Sequence, residues 1–127
     1  MVRGSSDSFL VARENAVRIA QEMLDRKIGI CAGCRALTAL SLDLVGEWAA
    51  DRDFRVIGYL DSESDRFPLG SARKFWAEEP LEALDRERAE IELGAEKEVL
   101  AACALIVDRF GRGQQAVEPA DPAAGTS

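Results

Sequence analysis

The sequence contains no histidine. Within this chain, that absence removes the commonest general acid–base side chain and the commonest transition-metal ligand together. Ser-His-Asp and Cys-His catalysis are excluded, as is a zinc site that relies on imidazole. No apolar run approaches the ~20 residues that a membrane-spanning helix needs. Positive charge is also short: 16 Lys and Arg stand against 23 Asp and Glu, a net charge of −7. Nucleic acid and anionic membranes both demand a basic face, so neither is an expected partner, whereas a basic protein is. The opening residues, Met-Val-Arg-Gly-Ser-Ser-Asp-Ser, lack the apolar core of a secretory signal. A cytoplasmic location is therefore expected, with the three cysteines as reduced thiols.

What is present is ordinary globular chemistry, 47% hydrophobic and 31% charged over 127 residues, enough for one domain. We expect a flexible start over 1–8, a single helical domain over 9–111 and a disordered Gly-, Ala- and Pro-rich tail over 112–127. The fold class is mainly α: three substantial helices plus a short one, with one extended segment and an acidic turn.

Ser8 can cap a first helix over 9–27, in which Leu10, Ala16, Val17, Ala20, Met23 and Leu24 form an apolar stripe. A second helix over 31–51 carries Cys34, Leu37, Leu40, Ser41, Leu44, Val45 and Trp48 on one face. Gly29 and Gly33 near its start are spaced for close packing against a neighbour. Residues 54–60, Phe-Arg-Val-Ile-Gly-Tyr-Leu, alternate and are rich in β-formers, so they read as extended. An unpaired strand needs covering, and a homodimer through 54–60 would cover it. Ser71 can cap a short helix over 72–78. Pro80 then suits the start of a long helix over 81–110. Its inner face is Leu81, Leu84, Ile91, Ala95, Val99, Ala102, Ile106 and Phe110; its first half is densely charged and its second half apolar on nearly all sides. Gly94 weakens its middle by about 1 kcal/mol relative to alanine, and Gly111 ends it.

The stretch 59–70 concentrates the candidate chemistry: Asp61, Ser62, Glu63, Ser64 and Asp65 place three carboxylates and two hydroxyls in five residues. Asp61, Glu63 and Asp65 alternate like the first ligands of a calcium loop, which gives a metal-binding or carboxylate-based enzyme as the alternative function. Arg66 and Phe67 occupy the positions where such a loop continues, and the cationic side chain opposes a metal. The favoured reading is structural: the carboxylates accept backbone N–H groups and pair with Arg66, Arg73 or Lys74, making the turn a latch. Recognition of a basic partner by Asp61, Ser62, Glu63 and Asp65, with Arg73 and Trp76 behind them, is the functional alternative, because Trp and Arg dominate interface energetics. Packing of the aromatics in the core is favoured over that role.

Cys31-Ala-Gly-Cys34 at a helix start, with Arg35 beside it, has the spacing of a redox pair. Yet the motif requires a preceding β-strand, and an amphipathic helix precedes it here. Cys34 also falls on the apolar stripe, as a buried structural cysteine would, and Cys103 in the last helix reads the same way, so redox chemistry at Cys31 and Cys34 is not favoured. No cofactor is expected.

Taken in order, Gly33 and Arg35 in the second helix, Val56-Ile57-Gly58, and Asp61-Ser-Glu63-Ser-Asp65-Arg-Phe-Pro68-Leu-Gly70 resemble a group of small bacterial proteins. Those proteins carry a Ser-Glu-[Ser/Thr]-Asp-x-[Leu/Phe]-Pro signature, and the resemblance spans about residues 9–110. It implies that the acidic turn is a signature of the fold and carries no activity over to this chain. The expectation for function is a small interaction module of the adaptor or immunity-protein kind.

Overall fold

The computed structural model describes residues 2–111; the expected disordered tail, 112–127, lies outside them. Four α-helices account for most of the described chain: α1 (Val2–Leu24), α2 (Ile30–Leu44), α3 (Arg52–Glu63) and α4 (Glu78–Ile106). Short 3-10 turns at Trp48–Ala50 and Gly70–Phe75 join them, and α4 finishes in a π-turn over Val107–Gly111. Among the described residues there is no strand.

The apolar stripe of α1 packs through Ala16, Ala20 and Met23, which are fully buried, whereas Leu10, expected on it, is exposed. The helix already runs from Val2, so Ser8 sits inside it instead of capping it. Beyond Leu24 the chain turns through Arg26, whose φ of 63° is left-handed, the conformation that commonly ends a helix. Arg26 also reaches Glu96 of α4 at 2.7 Å. Three contacts, Arg26–Glu96, Met23–Cys103 and Val17–Gly111, step in opposite directions along the two helices, so α1 and α4 run antiparallel.

Gly33 is where α2 meets α1. A Cβ there would run into the Met23 side chain, so this glycine is closely approached and a larger residue would force Met23 to shift. Gly29 is less tightly placed, its nearest neighbour being Glu92 at 3.9 Å from a notional Cβ. The helix stops at Leu44, earlier than expected. Trp48 belongs to the following 3-10 turn, where its ring covers Gly58 and meets the edge of Tyr59 at a centroid separation of 5.2 Å.

The segment 54–60 corrects the sequence reading, because it is not extended but forms the body of α3. Asp51 caps this helix by accepting from the N–H groups of Asp53 and Phe54 at 3.1 Å. Phe54, Ile57, Gly58 and Leu60 then turn inward at helical spacing and are buried. Burial of Phe54 and Ile57 against α2 and α4 outweighs the modest β preference of Val56, Ile57 and Tyr59. With no strand edge in this segment, the reason for a dimer through it disappears.

The core lies where Met23, Leu37, Phe54, Ile57, Val99 and Ile106 converge, all fully buried. The inner face of α4 contributes Val99, Ala102, Cys103 and Ile106. Its second half enters the core on this one face, and on the other Ala101, Ala104 and Leu105 are exposed.

Candidate functional site

The acidic stretch divides by direction. Asp61 and Glu63 lie in the last turn of α3, Ser64 is its C-cap, and Asp65 begins the loop. Asp61 turns inward to Arg35 of α2 at 3.5 Å. Burial pushes its carboxyl above the usual range, against the opposing pull of Arg35. Ser64 is fully buried, its hydroxyl donating to the Leu60 carbonyl at 2.8 Å. The Ser64 carbonyl in turn accepts from Arg35 Nη2 at 3.0 Å. One arginine therefore ties the end of α3 to α2 through a carboxylate and a backbone carbonyl. Phe67 and Pro68 continue the turn inward and are buried.

Ser62, Glu63 and Asp65 face solvent. Asp61, Glu63 and Asp65 are thus splayed apart. Among the described residues no group of three His, Cys, Asp or Glu side chains is placed to hold a metal ion.

Arginines of the connection engage α4, not the acidic turn. Arg73 makes a bidentate pair with Asp85, at 2.8 and 2.9 Å. Arg66 reaches Glu87 at 2.6 Å and stacks over Phe67, 4.3 Å from the ring centroid. Lys74 lies over the Phe75 ring at 5.6 Å. The latch expected from local pairing is instead made across elements, Arg35 on one side and Asp85 with Glu87 on the other.

Two polar assemblies were hidden from sequence reading because their partners are far apart in the chain. Glu92 of α4 accepts from the Cys31 N–H at 2.9 Å. Gly29, the N-cap of α2, offers no side chain, so a carboxylate 61 residues away from Cys31 supplies the cap. Arg109 in the π-turn bonds both oxygens of Asp51, at 3.0 and 3.1 Å, and Asp53 Oδ2 at 3.0 Å. Asp53 is only 1% exposed. Burial raises the Asp51 carboxyl, but the Arg109 hydrogen bond and the N–H groups of Phe54 and Asp53 outweigh it and hold it below the usual range. The signals available were the aspartates flanking Arg52, which suit a helix start, and Arg35 of the signature; Glu92 carried none.

All three cysteines are buried and form no disulfide. Burial pushes the Cys31 and Cys103 thiols up to about 11, and raises Cys34 as well, where the neighbouring Cys103 and Cys31 add to the effect. Cys31 and Cys34 thus lack the lowered pKa and the access that thiol exchange requires.

The surface behind the turn is different. Phe75 is 81% and Trp76 43% exposed; they are adjacent and are followed, after Ala77, by exposed Glu78 and Glu79. Neither aromatic anchors the turn in the core. No helix among the described residues is long and apolar enough to cross a membrane. Comparison of the chain with family models, with curated proteins and with solved structures finds no match.

Proposed function

We propose that this chain is a small cytoplasmic protein-interaction module, of adaptor or immunity type, that binds a basic protein partner through Phe75 and Trp76. The observation that carries the reading is this pair of exposed aromatics set against the acidic start of α4. Aromatic side chains supply large contact area at low entropic cost, and they dominate interface hot spots. Glu78, Glu79 and Glu82 are exposed beside them, whereas Arg73 and Arg66 are held by Asp85 and Glu87. The outward Glu63 and Asp65 extend the same sign of charge, which suits steering of a cationic partner more than raw affinity. Ser62 is exposed between the inward Asp61, which pairs with Arg35, and the outward Glu63, and Arg73 is paired with Asp85.

The test is capture with three forms: wild type, Phe75→Ala/Trp76→Ala, and Glu63→Lys/Asp65→Lys. A partner retained by wild type, lost from the aromatic variant and weakened by the charge variant at unchanged melting temperature supports the reading. Capture that survives loss of both aromatics refutes it, and a collapse in stability of the charge variant assigns the turn to the fold.

A further inference from the structure

Gly94 stands in the middle of α4, exposed, with nothing within 4 Å of where a Cβ would be. No contact inside the chain requires a glycine there, although glycine weakens a helix interior. Its neighbour Leu93 is 75% exposed. A large apolar knob therefore sits beside a gap in the same helix surface. Leu93 also lines an open groove of about 440 Å³ with Arg26, Glu96, Lys97 and Leu100.

The charges around this point are arranged about it. Glu90 and Lys97 lie on the outward side of α4 at equal distances along the helix from the Leu93–Gly94 peptide, and both are exposed. Among the described residues neither is drawn into an ion pair within the chain.

We propose that the chain forms a homodimer in which α4 packs antiparallel on α4 of a second copy, about a two-fold axis at Leu93–Gly94. The axis that sets Leu93 over Gly94 of the second copy also sets Lys97 opposite its Glu90, because both pairs share one centre. A two-fold makes each contact twice, as an isologous interface must. Orientation follows from charge too. Antiparallel packing keeps the acidic first half of each α4, with Glu78, Glu79 and Glu82, away from the acidic first half of the other. Parallel packing would set acidic half against acidic half. Glu78, Glu79 and Glu82 belong also to the surface beside Phe75 and Trp76, but the dimer rests on Glu90, Leu93, Gly94 and Lys97, so it stands whether or not those aromatics bind a partner.

Sedimentation velocity across a concentration series tests the proposal on the full chain. Wild type is expected to dimerise in the micromolar range, and Leu93→Glu to be monomeric with unchanged helicity. Lys97→Glu should raise the dissociation constant about tenfold, since two modest ion pairs become repulsions. Glu90→Lys combined with Lys97→Glu should restore wild-type affinity. Gly94→Leu should raise monomer helicity yet weaken the dimer, a combination that helix propensity alone does not produce. A wild type that stays monomeric up to millimolar concentration overturns the proposal. So does a dimer indifferent to Leu93→Glu, or a double charge swap that fails to recover affinity.

Discussion

Arg109→Ala is the most informative single perturbation of the fold. The wild-type guanidinium holds Asp51, which caps α3, and Asp53, which is 1% exposed, while stacking 4.8 Å over Phe110. Truncation leaves Asp53 buried with Arg52 Nε at 3.2 Å as its remaining charged neighbour, on a side chain that is 78% exposed. Removing one partner of a buried ion pair costs about 3–5 kcal/mol, because the other charge is left uncompensated. Arg109 is itself 39% exposed and Asp51 keeps its two backbone donors, so solvent and the cap recover part of that. We expect a loss of about 2–3 kcal/mol, near 10 °C in melting temperature for a unit of this size.

Urea denaturation at neutral pH is the assay, with an unchanged m-value showing that the unfolded state is not the cause. Asp53→Asn with Arg109→Ala closes a double-mutant cycle, and a coupling of about 1–2 kcal/mol is expected for groups in direct contact. Acid titration adds a second readout. The Asp51 carboxyl is held low in the fold, so the unfolded chain takes up its proton first as pH falls. Its stabilising contribution is complete above the ordinary value of about 3.9 and is lost as pH falls through the lowered one. Arg109→Ala should flatten this acid limb. A loss below about 0.5 kcal/mol, or additive single effects, would refute the claim that Arg109 compensates the buried aspartate.

Glu92→Ala should cost about 1–2 kcal/mol in the same denaturation assay, because it removes both the cap on the Cys31 N–H and a negative charge at the start of α2. Glu92→Gln, which keeps an acceptor, should lose less than half of that, and equal losses would contradict the cap. The thiols predict alkaline lability. Cys31 and Cys103 are raised to about 11, so the unfolded chain loses these protons first, and stability should fall from about pH 8.5 upward until both states are ionised near 11. Native protein at neutral pH should accordingly resist iodoacetamide at all three cysteines and label fully in denaturant. Fast labelling of Cys31 in the native state would show that the start of α2 opens.

These perturbations fall on residues that differ sharply in how far the sequence exposes their roles. The stripe of α1, the inner face of α4 and the close approach at Gly33 were legible because each depends on spacing within one helix or on the size of one residue. Residues 54–60 were not. Val56, Ile57 and Tyr59 favour strands in isolation, and alternation over seven residues coincides with part of a helical period. Phe54, Ile57 and Gly58 keep the three- and four-residue step that a strand has no reason to keep, and Asp51 stands where a cap belongs. Weighting the cap above the propensity would have returned the helix. No such weighting recovers Glu92 or Arg109. A glycine-started helix and a buried aspartate announce that a partner is needed, yet which of 16 cations or 23 carboxylates supplies it depends on tertiary packing. The acidic turn shows both cases within five residues. Asp61 and Ser64 are claimed by Arg35, 26 and 29 residues earlier in the chain, a pairing that only assembly of α2 with α3 creates. Glu63 and Asp65, of the same charge type as Asp61 and flanking Ser64 in sequence, point to solvent. Composition alone treats these residues as one cluster, but the helical turn separates them into residues that hold the fold and residues available to a partner.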